Sequence, residues 1–372
     1  MDPKAKGMIK AETYRRYQVK AHMQFRCEEL PIPAAPEKDY LVRVDVCGLC
    51  RSDLHFATSW AEHWDDLGHE FGGTVVARND ERGRFKPGDR VAVRNAAACM
   101  KCPPCLAGNL RSCRGLVVNK MGFSQYADCD ERSLVSAAGL SDTLLAIVEP
   151  TNVVLDLIYS AEIEEGDRVA VFGTGTLGLL TAYLLKSYFR IRDVVLVGRQ
   201  PNEELLAALG FSRQLSFEDV AATTPLRDEL AGAPDRVLVT TPPSTLGAAL
   251  EACGAGGRVL TVGLDRNQFL NADIDVRTLI FKRARVEGVF SVPNLYFDDA
   301  VRILSEVGKP LEQLIRHRIA FADLETALQE WNQKEHFDGK SILQLHQDPN
   351  TVDTKDREIE SRVSAQAQGT PC

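Results

Sequence analysis

The sequence predicts an α/β protein with a mostly-β part first and a doubly wound parallel sheet after it. Between about Glu165 and Phe290, short apolar runs alternate with helical patterns. Such alternation builds a parallel sheet covered by helices on both faces. The stretch before it reads as short strands broken by turns. The 372 residues exceed one ordinary domain, and a hydrophobic content of 44% provides a core for two.

In chain order, residues 40–46 alternate and are β-branched, so they form a strand that enters the loop holding Cys47 and Cys50. Residues 72–77 and 90–93 are further strands, with a turn at Lys86-Pro87-Gly88-Asp89 between them. In the middle, 169–172 is a strand and 177–189 an amphipathic helix, and strands at 194–197, 237–240, 259–262 and 286–290 continue the series. Residues 291–345 form a helix-rich return that ends in a strand at 341–345. The polar composition of 347–372 predicts a disordered tail. The expected organisation is therefore 1–152 for the first part, 153–290 for the parallel sheet, 291–346 for the return and 347–372 for the tail.

A net charge of −8 argues against nucleic acid or an anionic membrane as partner. No apolar run approaches the roughly 20 residues needed to span a bilayer. The N-terminus is basic without an apolar stretch behind it, unlike a secretory signal. The expected compartment is the cytoplasm. There, ten cysteines point to metal ligands rather than disulfides.

Cys99-x2-Cys102-x2-Cys105-x7-Cys113 is the strongest local signal. Four thiolates close a tetrahedral shell around zinc and leave no open position, so such a site is structural. The alternative is four reduced thiols. A second constellation comprises Cys50 in Cys50-Arg51-Ser52-Asp53-Leu54-His55, then His69 and Glu70 in Gly68-His69-Glu70, then Glu149 in Glu149-Pro150. One sulfur, one imidazole and two carboxylates can supply the three protein ligands of a catalytic zinc whose fourth position stays open. Cys47 fits a small buried thiol better than a ligand.

A third motif, Gly173-x-Gly175-Thr176-Leu177-Gly178, lies between a strand and a helix. There the first glycine permits a tight turn, the second lets the backbone approach a pyrophosphate, and the third lets helix and strand pack closely. The helix N-terminus offers its N–H groups to phosphate. At the end of the next strand Gly198 stands where an acid would bind the ribose hydroxyls of NAD, and Arg199 follows. A guanidinium suits a phosphate dianion, which favours NADP(H) over NAD(H). A solvated arginine and use of both cofactors is the alternative.

Together these motifs resemble those of the zinc-dependent medium-chain dehydrogenases, the group of alcohol, sorbitol and threonine dehydrogenases. The resemblance rests on Cys50-Arg51-Ser52-Asp53, Gly68-His69-Glu70-Phe71-Gly72-Gly73, Lys86-Pro87-Gly88-Asp89-Arg90-Val91, the four-cysteine lobe, Glu149-Pro150 and Gly173 to Gly178, and covers roughly residues 8–345. It implies a GroES-like catalytic domain and a Rossmann cofactor domain. It also implies one catalytic and one structural zinc, a nicotinamide cofactor and a homodimer or homotetramer. Cys50 and His69 would be zinc ligands, and Glu70 a ligand or a group that trades places with water. Glu149 sits where the polyol and threonine branch has an acid near the metal. Ser52 would take the substrate proton, His55 would relay it outward, and Asp53 would orient the histidine ligand. The segment between Cys50 and His69, which lines the substrate cleft in the family, is shorter than usual here. The implied reaction is hydride transfer between a secondary alcohol (polyol, cyclitol or sugar-like) or its ketone and the cofactor. Two alternatives are a biosynthetic NADPH-dependent carbonyl reductase and a nicotinamide-binding protein without catalysis.

Overall fold

The computed structural model describes residues 13–33, 35–199, 203–212, 214–221, 224–263, 272–333 and 339–346. The expected tail at 347–372 lies outside the described residues.

Two sheets dominate the described residues. The first has seven strands. Along it run Leu134–Ser136, Arg90–Val93, Glu70–Arg78, Tyr40–Gly48, Lys340–Gln344 and Ile315–Ala320, with Tyr126–Cys129 also paired to Tyr40–Gly48. The return thus contributes two strands to the sheet begun by the N-terminal part. The second sheet has five parallel strands in the order Val194–Val197, Val169–Phe172, Arg236–Val239, Arg258–Thr261, Arg285–Gly288. Val169–Phe172 is buried at every position, as a central strand covered on both faces must be. The chain leaves this strand to one side and later crosses to the other. The loop after Phe172 therefore opens at a topological switch point, the usual ligand crevice of open α/β sheets.

The helix Val148–Ser160 joins the two parts, and the expected boundary at 152/153 falls inside it. Ten of its thirteen residues are buried. One apolar cluster runs from Val46 and Ile342 through Val154 and Leu157 to Leu238 and Leu260, so the core is continuous across the join. Asn152 adds polar anchors to the return. Its Nδ2 donates to Ser291 Oγ at 2.9 Å, and its Oδ1 accepts the Tyr296 N–H at 2.9 Å. A small third sheet pairs Thr13–Lys20 with Gln24–Pro31 on one side and with Asp65–Asp66 on the other. No helix among the described residues is long and apolar enough to cross a membrane.

Candidate active site

The strand Tyr40–Gly48 delivers the chain to Cys50, which caps the short helix Arg51–His55 from an extended conformation. The cap is held by Asp53, whose Oδ2 accepts the Cys50 N–H at 2.8 Å. The other Asp53 oxygen lies 3.2 Å from His69 Nδ1, and Asp53 is fully buried. One carboxylate therefore sets both the cysteine backbone and the imidazole. Nδ1 faces the Asp53 carboxylate, so Nε2 is the ring nitrogen turned to another partner. Ser52 Oγ stands 3.5 Å from that Nε2. Burial alone would hold the His69 pKa down, but the Asp53 charge and the Cys50 sulfur outweigh it and raise it well above 6.5.

Glu70 opens the strand Glu70–Arg78 and is buried. One Glu70 oxygen forms an ion pair with Nζ of Lys340, which is also buried. Both groups pass over the backbone of Gly48, where a Cβ would meet Glu70 Oε2 at 2.2 Å and Lys340 Cε at 3.0 Å. Lys340 is a site residue that the sequence reading missed. Its only signal was a charge at the mouth of an apolar strand nearly three hundred residues from Cys50.

Ligand atoms of Cys50, His69 and Glu70 all lie within 4.8 Å of one another. A thiolate, an imidazole and a carboxylate at that spacing fit a zinc with one position to spare. Glu149 lies outside this group, buried in the first turn of the helix Val148–Ser160. Burial pushes its carboxyl up to about 7. His69 and Lys340 hold it down, while Glu70 and Asp53 add to the rise. It faces the same charges without sharing the donor cluster. His55 is buried, and its ring stacks on Trp60 with centroids 5.1 Å apart. Cys47 is buried with its thiol 3.3 Å from the Gly48 carbonyl, as a packing residue would be.

In the four-cysteine lobe the sulfurs also converge within 4.8 Å. Cys102 and Cys105 Sγ are 3.4 Å apart and Cys99 and Cys105 Sγ 4.0 Å. Tetrahedral zinc–thiolate bonds would place them about 3.8 Å apart. Backbone N–H groups point at the sulfurs: Cys99 to Cys113 at 3.3 Å, Cys102 to Cys99 at 3.4 Å, Arg114 to Cys102 at 3.5 Å. Amide donors favour the thiolate, and the Lys101 N–H foremost holds Cys99 down to about 6. Arg111 of this lobe reaches the buried Asp156 with two bonds, 2.7 and 3.0 Å. That ties the lobe to the helix that carries Glu149.

The glycine loop fits a dinucleotide. Gly173 has φ +127°, which a side chain would resist, and a Cβ there would meet Thr240 Oγ1 at 2.2 Å. A Cβ at Gly178 would strike the Gly173 carbonyl at 1.9 Å, while Gly175 faces open space. The helix Thr176–Ser187 starts with no side-chain cap, so its first N–H groups are available to phosphate. Thr176 and Leu177 are its first two residues. Gly198 is buried, and a Cβ there would lie 2.9 Å from the Thr174 side chain, so an acid has no room at that place. Arg199 is exposed. Its carbonyl is pinned by Thr174 Oγ1 and Gln214 Nε2, each at 2.9 Å.

Comparison with known proteins agrees with this architecture. Residues 36–139 match the alcohol dehydrogenase GroES-like domain family. L-threonine 3-dehydrogenase of Rhizobium etli is 26% identical over 335 residues, covering 82% of this chain and 91% of the relative. Two solved structures share the fold. One, from Sinorhizobium meliloti, is described as a zinc-binding dehydrogenase bound to NADP. Its TM-score is 0.79 at 23% identity, over 90% of this chain and 100% of that one. The other, galactitol-1-phosphate dehydrogenase of Escherichia coli, has a TM-score of 0.77 at 23% identity, over 89% and 100%.

Proposed function

We propose that this chain, which belongs to the zinc-dependent medium-chain dehydrogenase family, moves a hydride between a secondary alcohol (polyol, cyclitol or sugar-like) or its ketone and NADP(H), in preference to NAD(H). The observation that carries the reading is the convergence of Cys50, His69 and Glu70 with Ser52 beside the imidazole.

Cys50 and His69 would hold the catalytic zinc, with Glu70 as a ligand or exchanging group and Glu149 the acid behind it. Cys99, Cys102, Cys105 and Cys113 would hold the structural one. When bound, the zinc supplies a Lewis acid for the substrate oxygen and the nicotinamide supplies the hydride carrier. Ser52 Oγ accepts the proton of the substrate hydroxyl and passes it towards His55. Asp53 keeps His69 in the tautomer that presents Nε2. Lys340 balances the Glu70 charge inside a site that is otherwise acidic. Gly173, Gly175, Thr176, Leu177 and Gly178 would cradle the pyrophosphate; at Gly198 no acid competes with a 2′-phosphate, which Arg199 would meet.

The NADPH preference also supports the reductive direction, as in a biosynthetic carbonyl reductase. A nicotinamide-binding protein without catalysis has no use for the Cys50–His69–Ser52 arrangement. The same proposal places the protein in the cytoplasm as a homodimer or homotetramer. The strand at the outer edge of the parallel sheet, Arg285–Gly288, is largely exposed, and Phe281 and Phe290 are exposed by 78% and 72%.

Elemental analysis of the purified chain, followed by a polyol and ketone panel with NADP(H) and NAD(H), tests the reading. Two zincs per chain and NADP-linked turnover are expected. Zinc at full occupancy without turnover of any alcohol or ketone would overturn it.

A further inference from the structure

The helix Arg51–His55 does not stop at His55. It runs on as a π-helix, Phe56–Trp60, before the chain turns back to His69. Thr58 and Ser59 help to widen it: their hydroxyls donate back to the Leu54 and His55 carbonyls at 2.6 and 3.2 Å. Segments of this kind concentrate at functional sites. This one connects Cys50 and Ser52 to His69, and its Trp60 stacks on His55.

A π-helix of five residues cannot satisfy its own last carbonyls. Here the turn of the N-terminal hairpin satisfies two of the helix carbonyls and that of Ala61, which follows it. The Met23 N–H donates to Ala57 O at 2.7 Å, His22 N–H to Thr58 O at 3.0 Å and Ala21 N–H to Ala61 O at 2.8 Å. Three successive amides can face one way because His22 and Met23 have φ of +64° and +56°, a region that side chains disfavour. The hairpin grips the rest of the segment as well. Gln18 and Val19 pair with Asp66 and Asp65, Gln18 Nε2 donates to Asp66 Oδ1 at 2.8 Å, and Arg26 lies 4.8 Å over the Trp64 ring. Strain held in place by a surrounding structure that over-determines it points to a use for it.

We propose that the turn Ala21–His22–Met23 is a positioning element. It sets the position of residues 56–66, the wall of chain that joins Cys50 and Ser52 to His69, and with it the length and branching of the alcohol admitted. This rests on the dehydrogenase reading for its functional consequence but not for its mechanical part. The residues concerned touch neither metal ligands nor the nucleotide loop. Their loss should alter substrate selection while zinc and cofactor binding are kept.

The test uses the full zinc-loaded chain and two variants. Met23→Val places a β-branched residue where φ must be positive. The double variant His22→Gly, Met23→Gly keeps the three amide donors and tolerates that φ. Hydrogen exchange of amides 57–61 is read alongside kcat and KM for an alcohol series lengthened one methylene at a time. In Met23→Val, exchange at 57–61 should accelerate. Discrimination per methylene, roughly tenfold or more for a fitted pocket, should fall to about twofold through KM, with nicotinamide affinity and zinc content unchanged. The diglycine variant should retain the wild-type discrimination. Unchanged exchange at 57–61 in a Met23→Val protein whose own hairpin amides exchange faster would overturn the positioning role. So would unchanged discrimination with an accelerated wall. If the wild type turns over no alcohol, the dehydrogenase reading falls, and the exchange data still decide whether hairpin and wall are coupled.

Discussion

The protein carries two clusters of metal-seeking side chains, and they are built on opposite plans. In the cysteine lobe four like donors converge, and backbone amides at 3.3 to 3.5 Å serve their sulfurs. Nothing there is left for a substrate. At Cys50 the donors are unlike, a hydroxyl waits beside the imidazole, and carboxylates and a lysine surround the cluster. The lobe's sequence spacing spans 15 residues, whereas the second cluster draws on Cys50 from a helix cap, Glu70 and Lys340 from two separate strands, and His69 from the residue before one of them. A closed site can be encoded locally because only its own shape matters. A reactive site has to be assembled from distant chain because its charges must be balanced from several sides.

The contrast sets the expected effects. Cys50→Ser should lower turnover by several orders of magnitude while nicotinamide binding survives, since it would remove a ligand of the proposed open site and nothing from the glycine loop. Fluorescence titration with NADPH beside steady-state assays checks both halves. Normal turnover would end the assignment. Asp53→Asn should loosen the open site's zinc by roughly 10- to 100-fold and leave the lobe's zinc in place, as expected of a group that orients a ligand. Competition with a chromogenic chelator reads this directly, and a loss from both sites would mean that the two are not independent. Arg199→Ala should weaken NADPH by about tenfold or more relative to NADH, the scale of one hydrogen bond to a charged group. Equal effects on both cofactors would remove the NADP preference. The smallest effect is one of order. Under a mild chelator the open site should empty before the lobe, with activity lost while melting temperature is nearly unchanged. Simultaneous loss would contradict the two-plan picture.

The legibility of the chain follows the same division. Strands 169–172 and 194–197 were placed to the residue, because a strand buried on both faces is written as an uninterrupted apolar run. Three neighbouring strands were read starting one residue late. Each opens on an arginine, Arg236, Arg258 and Arg285, whose backbone joins the ladder. For Arg236 and Arg258 the side chain pairs with acids such as Asp167 and Glu287. The helix after the glycine loop ends at Ser187, not 189, where the Tyr188 and Phe189 amides both turn back to the Leu184 carbonyl. The metal-seeking residues were legible from spacing and from resemblance. Lys340, the Arg111–Asp156 pair and the π-helix under the N-terminal hairpin were not. Each exists only through register between segments that no local pattern connects.

The helix Val148–Ser160 has a practical meaning for anyone who would exchange cofactor domains between relatives of this protein. Asp156 is gripped by Arg111 from one half, and Asn152 bonds Ser291 and Tyr296. The Ala161 carbonyl is gripped by Arg236 from the other half, at 2.9 Å. A splice at residues 152/153 would cut through these attachments and give a chimera whose two halves each lack part of their shared seam. A crossover after the helix, in the turn that contains Gly166, keeps the whole helix with its catalytic partners. Arg236, which bonds the Ala161 and Glu162 carbonyls, is then among the contacts that the incoming domain must bring, together with apolar partners of the helix such as Leu238 and Leu260.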